Sequence, residues 1–162
     1  MKPALANLAT RLSNCRGVLV DSNVLLDVAT SDPVWSDWSG RAIAECADHS
    51  TLIIDPIVYA EVSIGYSTIE ALNAALPITS YAREPLPWDA GFLAGKCFLN
   101  YRKRGGARNT PLPDFYIGAH AAVAELALLT REDSRYRTYF PKLEILGPPS
   151  RRAMRVLPKS AP

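Results

Sequence analysis

Three cysteines in 162 residues, Cys15, Cys46 and Cys97, are odd in number and far apart, so neither a disulfide framework nor a CxxC zinc or redox pair can be drawn from them. A reducing, cytoplasmic compartment is the expectation. No apolar run reaches the roughly 18 residues that span a bilayer, so no membrane is expected. Neither GxGxxG nor GxxxxGK[ST] is present, which disfavours the common nucleotide-binding folds. Histidine is scarce as well. His49 falls at a helix end, where capping explains it, and His120 lies off the face that Asp114 occupies, an RNA contact at most; neither is assigned to catalysis.

What is present is ordinary for one globular domain: 48% apolar and 21% charged residues, too balanced for a disordered or coiled-coil chain. The net charge of +2 is uneven, because residues 147–162 carry Arg151, Arg152, Arg155 and Lys159 without an acid and leave the remainder slightly acidic. Residues 147–162 are expected to be a basic, flexible tail. Residues 1–16, with Leu5, Leu8 and Leu12 at helical spacing, are expected to be an amphipathic helical extension, and 17–146 the folded domain.

Short apolar runs alternate with helical patterns. GVLV before Asp21, TLIID at 51–55, ALLT at 127–130 and a short run at 143–146 read as strands. Helices are expected from Pro33 (with Asp32 as cap) to His49, from Pro56 through Tyr66, over 67–76, over 88–104 and from Pro113. The alternation predicts an α/β domain on a mainly parallel sheet. Gly65, Gly91, Gly95 and Gly118 within helical patterns suggest close packing between elements. Cys15, Cys46 and Cys97 read as packing residues, the Trp35–Trp38 pair as part of a helix that packs on the core or receives a partner, and Tyr101 and Phe115 as residues for which helical spacing favours the core over base stacking.

In such a sheet, ligands bind beyond the carboxyl ends of the strands. Asp21 follows one strand and Glu132 and Asp133 another, while Glu61 and Asp114 sit early in two helices. Each acid alone has a plainer role as a cap, a dipole partner or a solvated side chain. Together they can converge, and carboxylates about 4 Å apart repel by about 4 kcal/mol at an effective dielectric near 20 unless a cation lies between them. A hard dication such as Mg²⁺ or Mn²⁺ prefers such oxygen donors and promotes phosphodiester hydrolysis. Between Asp89 and Asp114 there is no acid, and Lys96, Arg102, Lys103, Arg104 and Arg108 supply positive charge that fits phosphate contacts as well as a solvated helix end.

GVLVDSNVLLD, PIVYAEVSIGY, PLPDFYIGAHA and LLTREDSRYRTYFP, in that order, resemble the four motifs of the PIN domain, and closely those of the VapC toxins. The resemblance implies a three-layer α/β/α fold, Mg²⁺- or Mn²⁺-dependent ribonuclease activity, a cognate VapB-like antitoxin and a homodimer. It implies that Asp21, Glu61 and Asp114 are the catalytic, metal-holding acids. The fourth position departs from the pattern: Glu132 stands where relatives carry Asp and Asp133 follows, so both remain candidates, Asp133 favoured by its side-chain length. Asn23 and Thr130 match positions that orient acids or water by hydrogen bonds. The competing reading is a non-catalytic PIN-like module that binds RNA or protein. A haloacid-dehalogenase-like phosphatase would need D-x-D, and Asp21 is followed two residues later by Asn23.

Overall fold

The computed structural model describes residues 2–110 and 112–149. The four basic residues expected to form the tail, Arg151, Arg152, Arg155 and Lys159, lie outside the described residues. In chain order the elements are α1 (Leu8–Leu12), β1 (Val18–Val20), α2 (Ser22–Ala29), α3 (Ser36–His49), β2 (Leu52–Ile54), α4 (Pro56–Ser63) and α5 (Ile69–Ala75). They continue with β3 (Ala82–Arg83), α6 (Trp88–Lys103), α7 (Pro113–Val123), β4 (Ala127–Leu129), α8 (Ser134–Tyr139) and β5 (Ile145–Leu146).

The strands form one sheet in the order β3-β2-β1-β4-β5, every pairing parallel. The three central strands are buried on both faces, which explains why each is a continuous apolar run instead of an alternating one. Right-handed crossovers place α2 to α5 on one face and α6 to α8 on the other, giving three layers, α/β/α. The chain leaves β1 first toward β2 and later toward β4, so the direction of winding reverses between β1 and β4. That reversal opens a crevice at the carboxyl ends of these two strands. Among the described residues no helix is long and apolar enough to cross a membrane.

Two glycines are required by close approach. A Cβ on Gly17 would lie 2.7 Å from Ile53 Cδ1, and one on Gly118 would lie 2.3 Å from the Phe140 ring, so Gly118 lets α7 seat against the end of α8. Gly91 and Gly95 correct the sequence expectation: a Cβ on either meets nothing within 4 Å, so neither packs against another element of the chain. Gly65 lies beyond the end of α4, in a turn.

Several boundaries differ from the sequence reading. Pro33 does not open a helix; the Asp32 carboxylate accepts from the amides of Val34 and Trp35, closing a turn, and α3 starts at Ser36. Helices α2 and α8 and the two-residue strand β3 were not expected, the first because its capping residue, Asp21, is also the strand-end acid. Cys46 and Cys97 are buried, and Trp38 packs edge-on to Trp35 against the core. Phe115 is fully buried. His120 is fully buried too and bonds Asp55 at 2.9 Å, so it is not an RNA contact; His49 bonds the Glu45 carbonyl at its helix end.

Candidate active site

Asp21 ends β1 and caps α2, and is 3% exposed. Its carboxylate is saturated with donors. Oδ1 accepts from the Ser22 amide at 2.8 Å; Oδ2 accepts from the Thr130 hydroxyl (2.9 Å), the Tyr136 hydroxyl (3.0 Å) and the Asn23 amide (3.2 Å). Thr130 Oγ1 in turn accepts from Asn23 Nδ2 and the Glu132 amide, so the ends of β1 and β4 are tied through one hydroxyl. Burial pushes the Asp21 carboxyl up to about 6, helped by the charges of Asp114 and Glu61 and opposed by the bonds from Thr130 and Tyr136.

Glu61 lies in the second turn of α4, whose start is fixed by Pro56 and by the Asp55 carboxylate accepting from the Val58 amide. Its Oε2 accepts from the Ser22 hydroxyl at 2.8 Å, so Ser22 joins Asp21 to Glu61 by its amide and its hydroxyl. The Glu61 carboxyl is also raised, first by burial, then by Asp114 and Asp55. Of its neighbours on α4, Val58 and Val62 are buried, while Ala60 and Ile64 are exposed.

Asp114 stands in the first turn of α7, and its Oδ2 accepts from Arg135 Nη1 at 2.5 Å. Asn23, which donates to Asp21, lines with Asp114 the cleft that opens here, while Ser22 ties Asp21 to Glu61. A cleft of about 330 Å³ is lined by Asp114, Asn23, Glu132, Arg135 and Tyr136 among others. Glu132 is mostly exposed and pairs with Arg131 at 3.1 Å. Asp133 does not line the cleft; its carboxylate accepts from Arg137 Nε at 2.6 Å on the surface of α8.

Of the basic stretch, Arg104 reaches the cleft wall, its guanidinium 5.7 Å from the centre of the Tyr139 ring. Arg102 holds the loop by donating to the Arg108 carbonyl at 2.8 Å. Lys96 lies over the Phe92 ring on the outer surface of α6, with Lys103 on the same edge.

Sequence reasoning missed Ser22, Tyr136 and Arg135. The first was visible only as part of D-S-N, and the other two depend on α8, which had no periodic signal. Among the described residues no three His, Cys, Asp or Glu side chains stand together as a set able to hold a metal ion. The donor chemistry nevertheless fits a hard dication: the donors are carboxylate oxygens, and two of them are held against mutual repulsion that such an ion relieves.

The family model described as PIN domain matches residues 18–141. In the comparison with curated proteins nothing matches. Solved structures do. A chain of VapBC2 from Rickettsia felis, bound to a DNA fragment from its promoter, is similar at 18% identity with a TM-score of 0.62, over 79% of this chain and 96% of that one. A chain of VapBC-1 from nontypeable Haemophilus influenzae is similar at 19% identity and a TM-score of 0.61, over 80% and 96%. A chain of FitAcB from Neisseria gonorrhoeae is similar at 16% identity and a TM-score of 0.57, over 81% and 97%. At these identities the likeness speaks to the fold.

Proposed function

The chain belongs to the PIN-domain family, and from that premise we propose that it is a divalent-metal-dependent ribonuclease acting as the toxin of a toxin–antitoxin pair. The observation that carries the reading is geometric: Ser22 joins Asp21 of β1 to Glu61 of α4, and Asn23, which bonds Asp21, shares a cleft with Asp114 of α7 at the carboxyl edge of the sheet. These three, with Glu132 from the cleft rim, are the residues that would hold the ion. Bound there, Mg²⁺ or Mn²⁺ supplies charge neutralisation at the phosphodiester and a lowered pKa for the attacking water. We assign the fourth place to Glu132 over Asp133, because Glu132 lines the cleft while Asp133 is engaged with Arg137.

The chain's own part is to hold these acids ionised and aimed. Thr130, Tyr136 and Asn23 donate to one oxygen of Asp21, and Ser22 fixes its other oxygen while orienting Glu61. Arg104, with Arg102 in the last turn of α6 and Arg108 in the adjoining loop, supplies positive charge for the RNA backbone. The likenesses to VapBC and FitAcB structures support a small antitoxin as the partner, and the reading includes a homodimer and a cytoplasmic site of action.

A second reading, a PIN module that binds RNA or protein without cutting, is favoured by one observation: Arg135 occupies Asp114. One assay separates the two. Purified chain cleaves RNA with Mg²⁺ and not with chelator, and Asp114→Asn lowers the rate by about a thousandfold or more. Its melting temperature changes little, because a half-exposed ion pair contributes at most about 1 kcal/mol. Metal-independent or undiminished cleavage in the variant removes the nuclease scheme, and RNA binding without any cleavage supports the second reading.

A further inference from the structure

His120 is the polar residue out of place in helix α7. It stands between Ala119 and Ala121, all three wholly buried, and the acidic site does not use it. The one hydrogen bond its ring makes joins Nδ1 to Asp55 Oδ2 at 2.9 Å. A carboxylate can only accept, so Nδ1 is the donor. Nε2 is buried without a hydrogen-bond partner: Glu84 Oε2 lies 3.6 Å away, and that carboxylate is already gripped by Arg16 through bonds of 2.6 and 2.8 Å. An orphaned ring nitrogen in the core costs stability that a leucine filling the same space would not lose. What the imidazole adds over a leucine is the Nδ1 bond alone.

Asp55 is the other half of this tie. It follows β2 directly, is 2% exposed, and spends its two oxygens on two helices. Oδ1 accepts from the Val58 amide and starts α4; Oδ2 accepts from His120 of α7. These helices lie on opposite faces of the sheet, and each carries one of the acids. Glu61 comes six residues after Asp55, and Asp114 six before His120. Six helical residues span about 9 Å, so each acid stands on a short stiff arm whose inner end is fixed at this bond.

We propose that Asp55 and His120 are positioning residues: their buried bond fixes α4 against α7 and so sets the separation of Glu61 and Asp114 for a shared divalent ion. The proposal rests on the reading of these acids as ion-holding. Within the site itself, Ser22 secures Glu61 to Asp21, whereas Asp114 bonds Arg135. Acids that are to share an ion repel one another until it arrives, so the helices carrying them need a tie that does not depend on the ion. Donors held at their working separation lose less freedom when the ion binds, and slackening them weakens binding.

Calorimetric titration of the full chain with Mg²⁺, beside circular dichroism melts, tests it. His120→Leu keeps the bulk and removes the donor. Asp55→Ser keeps an oxygen for the Val58 amide but is too short to reach His120. Each is expected to raise the Kd for Mg²⁺ about tenfold, and the double variant to bind no more weakly than either single one, because both break the same bond. His120→Asn, whose amide nitrogen takes the place of Nδ1, is expected to bind Mg²⁺ as the wild type does. Lowered melting temperatures with Mg²⁺ affinity unchanged would make the pair a core contact only, overturning the proposal and leaving the nuclease reading intact. Equal losses in His120→Asn and His120→Leu, or additive losses in the double variant, assign the effect to packing and overturn it as well. So does failure of both single variants to fold, since the pair is then a condition of the fold. A wild type that binds no Mg²⁺ overturns this proposal and the nuclease reading together.

Discussion

The inner and outer parts of the acidic site are built on different terms. At the inner end, Asp21 is buried and held by four donors, three of them on a single oxygen. At the outer end, Asp114 and Glu132 are paired with Arg135 and Arg131, and Asp133, outside the cleft, is paired with Arg137; all of these pairs are partly exposed. Neutral donors orient a carboxylate without cancelling its charge, whereas an arginine cancels it and must be displaced before a cation can take its place. The inner end is therefore fixed in advance, and the outer end is where metal, substrate or an antitoxin side chain changes what is bound.

Replacement at the inner end has the largest expected effect. Asp21→Asn keeps the size and shape of the side chain but removes the charge; cleavage falls about a thousandfold or more. The same residue sets a pH signature. Its folded value, about 6, lies above its ordinary value of 3.8, so between these limits the native state holds more protons than the unfolded one. Stability of the metal-free chain is therefore highest below this window and falls as pH rises through it, by a few kcal/mol at most. Denaturant melts at a series of pH values measure the slope, and Asp21→Asn should flatten it. Added Mg²⁺, which favours the ionised form, should stabilise more at neutral pH than at acid pH. A slope unchanged in Asp21→Asn assigns it to another group.

A smaller effect is expected from Tyr136→Phe, which removes one buried donor from Asp21 and nothing else of comparable size. The protein stays folded, at a cost of about 1–3 kcal/mol for a bond to a charged group, and cleavage drops by about ten- to a hundredfold. With one lowering influence gone, the Asp21 carboxyl rises further, so the acid limb of the pH–rate profile should move to higher pH. A uniform drop with no displacement of that limb would mean that Tyr136 contributes packing alone.

The same contrast governs what could be read from the sequence. Strands β1, β2 and β4 were legible because burial on both faces demands unbroken apolar runs, and α4 and α7 because Pro56 and Pro113 mark their starts. The inner acid was legible because a strand end names its own carboxyl edge. The outer end was not. Helix α8 has six residues, only Tyr136 buried among them, so no periodicity announces it, and without it neither Arg135 nor the Tyr136 hydroxyl can be placed. The glycines of α6 were assigned to packing inside the chain, but spacing alone does not say what a helix face meets, and a Cβ on Gly91 or Gly95 meets nothing within 4 Å.

The smallest expected effects decide which acid completes the outer end. If Arg135 competes with a cation for Asp114, Arg135→Gln raises Mg²⁺ affinity a fewfold in a calorimetric titration, because the pair it breaks is worth at most about 1 kcal/mol at this exposure. Arg137 sits two residues along, on the other side of the helix, and holds only Asp133, in an exposed pair four residues apart whose contribution is about 0.3–0.5 kcal/mol. Arg137→Gln should therefore leave Mg²⁺ affinity unchanged if Glu132 is the fourth donor, because freeing Asp133 then frees nothing the ion uses. An increase in Arg137→Gln matching that in Arg135→Gln would transfer the fourth place to Asp133. It would also mean that α8 has to shift on loading, since Asp133 does not line the cleft in which Asp114 and Glu132 stand.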